Sequence, residues 1–197
     1  MNPVVFFANP THAAELARIH SEALPDDFLP RLGRDFLEEV YWPTALGSLE
    51  NGLTLIMEGP VAFATVAWDS PGFTRQIVRP NVWKLAYYAL RSCLRNPLNL
   101  WRCVEVAYAS LVARPHPVPA EIVLIAVEAE HRGQGMGRLL VQAATEIIRR
   151  QGGRRLRTKT LARNLNVIGL YESEGWTIDE RFRLIGKEYV TLVSPEL

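Results

Sequence analysis

Cysteine is scarce in this chain: Cys93 and Cys103 are the only two among 197 residues. They form no CxxC pair, and the four histidines, at positions 12, 20, 116 and 131, have no ligand spacing, so neither a disulfide scaffold nor a metal site is expected. Two buried thiols in a reducing cytosol is the expectation. An uncharged apolar run of about 18 residues is also missing, which argues against an integral membrane segment. The opening MNPVVFFANPTHAAE lacks a basic n-region and has too short an apolar run for a signal peptide, so a cytoplasmic location is expected. A charge excess is absent too. The net charge is +1, which gives no reason to invoke nucleic acid.

What is present is an ordinary globular composition, 48% hydrophobic and 22% charged, enough for a core in one domain spanning residues 1–197. No internal repeat occurs, and a homodimer is compatible with the composition. Val4 to Ala8 reads as a strand, and Asn9-Pro10 as a helix start, the Asn capping and the Pro in the first turn. A second helix is expected over Leu29 to Tyr41. Leu53 to Met57 and Val61 to Trp68 predict a hairpin around Glu58-Gly59-Pro60. Residues 81–113 read as a helical insertion between the third and fourth strands, broken at Asn96-Pro97. Pro115, Pro117 and Pro119 then predict an extended linker.

Glu121 to Val127 reads as a strand and Gly135 to Gln151 as a helix. The apolar face of that helix is Met136, Leu139, Leu140, Ala143, Ala144, Ile147 and Ile148, at a period near 3.6. Arg155 to Thr160 predicts a strand, Asn166 to Glu174 a helix, and Trp176 to Leu184 with Lys187 to Val193 a hairpin about Gly186. The fold class is α/β (α+β): one mixed twisted sheet flanked by helices.

The turn between the Glu121 strand and the long helix carries the chemistry. Gly133, Gly135 and Gly137 alternate with Gln134 and Met136, between Arg132 and Arg138. Glycines at this spacing let the backbone turn sharply and approach a ligand, and the first N–H groups of the helix then face an anion. A Walker loop requires GK[ST], where this chain has Gly-Arg-Leu. The dinucleotide fingerprint GxGxxG fails because Arg138 stands at its last position. A pattern [Q/R]-x-x-G-x-[G/A] remains, satisfied by Arg132, Gly135 and Gly137; a glycine turn with no ligand is the plain alternative. Between His131 and Arg163 lie nine basic residues and one acid, Glu146, a local field suited to a phosphorylated ligand.

The segment EIVLIAVEAEHRGQGMGRLLVQAA resembles the acetyl-CoA motif of the GNAT superfamily of N-acetyltransferases. Downstream, Asn164, Leu170, Tyr171, Gly175 and Trp176 resemble that family's N-x-x-A-x-x-L-Y-x-x-x-G-F segment, with Val167 for Ala and Trp176 for Phe. The resemblance implies a GNAT-like fold and an acyl-CoA-dependent N-acyltransferase, with acetyl-CoA as donor, an amine as acceptor and no metal. It places pantetheine along Ile125, Ala126 and Val127, the pyrophosphate on Arg132 to Arg138, and Asn164 against pantetheine. It makes Tyr171 the proton donor to the departing thiolate. Alternation along the strand puts Glu121, Val123, Ile125 and Val127 on one face, so Glu121 heads the row toward the cofactor as a candidate base. A strand-end carboxylate facing water, Glu128 as the base, and a water chain remain alternatives. The stretch LPDDFLPRLGRDFLEEVYW is similar to GNAT members of bacterial surface-glycan loci, which implies an amino-sugar acceptor. A non-catalytic acyl-CoA-binding sensor or scaffold is the competing reading.

Overall fold

A computed structural model describes residues 4–25, 27–47, 49–101, 103–104, 116–184 and 186–197. Its centre is a seven-stranded sheet in the order β1-β2-β3-β4-β5-β7-β6. The strands are β1 (Val5–Phe7), β2 (Gly52–Met57), β3 (Ala62–Ala67), β4 (Glu121–Val127), β5 (Arg157–Leu161), β6 (Thr177–Leu184) and β7 (Lys187–Val193). Neighbours run antiparallel except β4 and β5, which are parallel. The mixed α/β class and both expected hairpins are present.

Asn9 caps the chain's first helical turn as its chemistry predicts, its side chain accepting from the Thr11 N–H at 3.0 Å. That turn leads into α1 (Ala13–Ala23). The expected second helix is interrupted: α2 (Phe28–Leu32) ends at Gly33, whose φ of 120° no helix accommodates. The chain re-enters helix at α3 (Arg34–Phe36), passes through a π-type segment Leu37–Tyr41, and continues into α4 (Trp42–Leu46), beyond the expected end. Between β3 and β4 lies a helix that sequence reading missed, α5 (Ser70–Val78), followed by α6 (Val82–Arg95). The insertion therefore starts about ten residues early. Asn96 ends α6, as the Asn-Pro break predicts, and 98–101 is helical again. Residues 105–113 of the insertion and Pro115 fall outside the described residues. The two thiols are half-buried rather than buried, 4.0 Å apart and unbridged.

The remaining helices are α7 (Met136–Arg150) and α8 (Leu165–Ser173). In α7 the buried residues are Leu140, Val141, Ala144 and Ile148. Leu139, expected inside, is 36% exposed, and Val141 takes its place. The sheet separates two cores. One packs α1 to α6 against Ile56, Phe63 and Ala126; the other packs α7 and α8 against Leu55, Ala64, Ile122 and Leu192.

The first core contains an unusual group. His20 is fully buried, its ring 5.7 Å from the Trp42 ring and 6.0 Å from those of Tyr41 and Phe63. Neither ring nitrogen has a hydrogen-bond partner among the described residues, and burial pushes the pKa from 6.5 down to about 4. The unfolded chain therefore takes up this proton first as the pH falls. The contribution to stability is whole above pH 6.5 and is lost between there and pH 4. Urea unfolding at pH 8 and pH 5 is expected to show a loss of about 2 kcal/mol that His20→Phe removes. An equal loss in both proteins would take His20 out of the acid response.

Candidate functional site

The central feature is a wedge between two parallel strands. β4 and β5 are in register only at Glu121 with Arg157 and Ile122 with Thr158. Beyond Ile122 the strands separate, β5 keeping its pairing with β7 through Leu161 and β4 its pairing with β3 through Val127. One edge of β4 is thus left without a strand from Val123 onward.

The direction of the exposed groups follows from the antiparallel pattern. The Glu128 N–H donates to the Val61 carbonyl at 2.9 Å, so the next pair, Val127 with Ala62, is a non-hydrogen-bonded one. The peptide groups of Val127, and by alternation of Ile125, therefore point away from β3 into the wedge. Those of Ala126 turn toward β3. Pantetheine carries amides that match such an edge.

A β-bulge lies at Val123, where the register with β3 shifts between Thr65 and Val66. It breaks the expected alternation. Val123, Leu124 and Ala126 pack with the first core, Ile122, Ile125 and Val127 with the second. Glu121, Val123, Ile125 and Val127 do not share one face, and Glu121 does not lie in the row that ends at Val127.

At the mouth of the wedge the chain makes a short turn, Ala129–His131, and enters the glycine loop. Gly133 and Gly135 have φ of 76° and 82°, the left-handed region that favours glycine. Gly135 caps α7, and no carbonyl among the described residues accepts from the N–H groups of Gly133 to Arg138. Six amides gathered at a helix N-terminus make an anion cradle. Gly137 does something else: a Cβ there would stand 3.2 Å from Leu170, so it lets α7 approach α8.

The side chains of the loop brace it. Arg132 donates from Nε to the Val127 carbonyl at 3.1 Å and from Nη2 to the Ala23 carbonyl at 3.3 Å, tying strand, loop and α1 together. Arg138 pairs with Glu174 at 2.8 Å and donates to the Ser173 hydroxyl at 3.0 Å. Gln134 donates to the Glu130 carbonyl at 3.1 Å. Met136 lies against the second core. The polar side chains of the loop are thus engaged within the protein, while its main-chain N–H groups are not.

On the far side of the wedge, Asn164 opens α8 and its amide reaches the Thr160 hydroxyl at 3.4 Å. Tyr171 projects from α8, fully buried, its ring 4.8 Å from that of Trp176. Its hydroxyl adjoins Thr158, whose own hydroxyl donates to the Ile122 carbonyl at 3.1 Å. The phenol oxygen is left without a well-formed hydrogen bond among the described residues, and burial raises its pKa, so it stays protonated at neutral pH.

Two carboxylates flank the wedge. Glu121, at its closed end, is buried and pairs with Arg157 at 2.6 Å and Lys159 at 3.5 Å. Glu128, at its open end, contacts Arg18 at 2.5 Å and His131 at 3.3 Å. Sequence reading missed Arg18 and Arg157 as partners, because they lie in other elements and carry no local signal. Glu121→Gln leaves the Arg157 guanidinium buried without its principal counter-charge, and an expected destabilisation of about 3 kcal/mol follows. A base role adds a second effect, loss of the acid limb of the pH–rate profile. An unchanged profile beside lowered stability makes Glu121 structural and moves the search to Glu128.

A cavity of about 430 Å³, lined by Trp68, Val118, Ile148 and Arg154 among others, lies at the opposite end of β4 and α7 from the glycine loop. No group of three or more potential metal ligands occurs among the described residues.

Residues 104–176 match the acetyltransferase (GNAT) family. This segment is similar to that family. It holds β4, the glycine loop, α7, β5 and α8, while Arg18 and the Ala23 carbonyl of α1 lie outside it. A search of curated proteins found no match. Solved structures extend the likeness of fold to the whole chain. A GNAT-family acetyltransferase from Streptococcus pneumoniae has a TM-score of 0.60 at 18% identity, covering 98% of both chains. The ribosomal-protein-S18-alanine N-acetyltransferase of Escherichia coli has a TM-score of 0.59 at 15% identity, covering 98% of this chain and 93% of its own. The Salmonella typhimurium protein yncA, solved with its cofactor acetyl-CoA, has a TM-score of 0.59 at 17% identity, covering 99% of this chain and 94% of its own. At these identities the likeness is one of fold: the mixed sheet flanked by helices is the GNAT architecture.

Proposed function

We propose that the chain is an enzyme transferring an acetyl group from acetyl-CoA to a primary amine. The reading rests above all on the wedge, with the N–H groups of Ile125 and Val127 turned into it, the amide cradle at its mouth and the buried Tyr171 phenol beside Thr158. These groups fit a ligand that is anionic at one end, amide-bearing in the middle and in need of a proton donor at its reacting atom.

Gly133 to Arg138 would hold the pyrophosphate through main-chain N–H groups, and Asn164 would approach the pantetheine arm. Bound acetyl-CoA would supply an acetyl group activated as its thioester. The Val127 N–H polarises the carbonyl that the amine attacks. As the new C–N bond forms and the C–S bond breaks, Tyr171 gives its phenolic proton to the sulfur, and a carboxylate, Glu121 or Glu128, takes the proton that the amine sheds. Proton and charge balance across that pair of transfers.

CoA release, followed with a thiol reagent over a panel of amino sugars, polyamines and peptide N-termini, tests the proposal. Release that saturates with one amine class supports it. Saturable acetyl-CoA binding with no release by any amine makes the chain an acyl-CoA sensor instead.

A further inference from the structure

The outer face of α6 is apolar and exposed, with no partner among the described residues. Trp83, Tyr87, Leu90 and Leu94 recur at i, i+4, i+7 and i+11, which on an α-helix is one stripe within an arc of about 60°. They are 85%, 61%, 62% and 78% exposed. The helical turn at 98–101 adds Leu98, Leu100 and Trp101, each at least 60% exposed. An exposed apolar stripe of this kind marks an interaction surface.

The helix is fixed in this orientation from its other side. Tyr88 and Ser92 are buried, the Ser92 hydroxyl donates to the Arg31 carbonyl at 2.6 Å, and the Tyr88 hydroxyl donates to Glu39 at 3.1 Å. Arg91 pairs with Asp35. The stripe is held outward by these contacts, and no helix of the described residues is long and apolar enough to cross a membrane.

Charge indicates what covers the stripe. Arg91, Lys84 and Arg95 occupy the next arc of about 40° beside it. From Ser70 to Val104 the sequence has six basic residues and no Asp or Glu, while the rest of the chain has 16 basic and 21 acidic residues. The near-neutral total conceals a positive segment on an acidic body. A second copy packed stripe to stripe about a two-fold axis would set two such segments against each other, which like charge opposes. A surface of anionic lipid complements both features. Trp and Tyr favour the headgroup level, Leu reaches the acyl boundary, and Lys and Arg snorkel to phosphate.

We propose that α6 and the 98–101 turn dock this protein onto the surface of a bilayer containing anionic lipid. Co-sedimentation with vesicles of phosphatidylcholine alone, and with about 30 mol % phosphatidylglycerol added, tests this at low and high salt. Expected is at least about tenfold more pelleted protein with the anionic vesicles, falling at high salt, with a blue shift of tryptophan emission. The double variant Trp83→Ser, Trp101→Ser is expected to lose binding, and Lys84→Glu with Arg95→Glu to weaken it about tenfold. All four side chains are exposed, so unchanged far-UV circular dichroism and thermal midpoint are expected of both variants. No pelleting with any vesicle overturns the proposal, as does equal pelleting with phosphatidylcholine alone or undiminished binding by the tryptophan variant. A dimeric mass by light scattering that the tryptophan variant abolishes, without vesicle binding, assigns the stripe to a contact between copies instead.

Discussion

Tyr171→Phe is expected to lower kcat by about two to four orders of magnitude, with KM for acetyl-CoA changed less than about threefold. The phenol is buried in the second core beside Thr158, on the helix that follows β5, and its hydroxyl lacks a well-formed partner among the described residues. A buried hydroxyl without a partner costs stability unless a ligand supplies one. Phenylalanine keeps the ring, the 4.8 Å contact with Trp176 and the packing volume. The same substitution is therefore expected to raise unfolding free energy by about 1 kcal/mol in the absence of acetyl-CoA.

Activity and stability moving in opposite directions is a signature that a packing role cannot give. A tyrosine that served only the core would gain the same stability on losing its hydroxyl, but turnover would then follow the folded fraction and would not fall. Burial raises the Tyr171 pKa, so its protonated form persists across the neutral range and no limb of the pH–rate profile near pH 7 belongs to it. Steady-state kinetics and urea unfolding of the two proteins decide the matter. Wild-type kcat in the variant removes Tyr171 as the proton donor.

Much of the frame was legible in the sequence because its signals are local. The period of α7, the Asn9-Pro10 start, the Gly186 hairpin and the β4 boundaries each follow from a few adjacent residues. The failures have one cause in common, that several residue types have two structural uses. Pro71 and Gly72 punctuate like a loop, yet Pro in a first helical turn loses no hydrogen bond, and Gly72 packs close to Asp69 and Asn51 where a side chain has no room. Gly33 was passed over inside a helical period that it breaks.

The candidate site was marked in the sequence by its glycines and the Asn164 to Trp176 motif, but its shape was not. The wedge exists because β4 and β5 stop pairing after two residues, and the bulge at Val123 re-aims half of β4. Neither leaves a mark in the hydrophobic pattern. Glu121 shows the consequence: strict alternation sends it toward the cofactor row, whereas the structure sets it beside Arg157, 36 positions away in sequence.

Gly135→Val is expected to weaken acetyl-CoA binding by about 100-fold or more, equivalent to about 3 kcal/mol. Beyond its chain neighbours, no atom of the described residues lies within 4 Å of where a Cβ at Gly135 would stand, so the cause is not a clash with them. At a φ of 82° a β-branched residue is strained, and relief of that strain rotates the amides of the cradle out of convergence. The new side chain would also occupy the space through which the proposed pyrophosphate would reach those amides. Gly152 provides the matched control. It lies just beyond the other end of α7, with a φ of 78° and the same open surroundings, but away from the wedge. Gly152→Val carries the same kind of backbone penalty, about 1–2 kcal/mol of stability, with no amide cradle to disturb. Calorimetric titration of both variants with acetyl-CoA separates the effects. A lost affinity confined to Gly135→Val, at similar losses of stability, locates the anion at the N-terminus of α7; equal affinities remove the loop from the binding site.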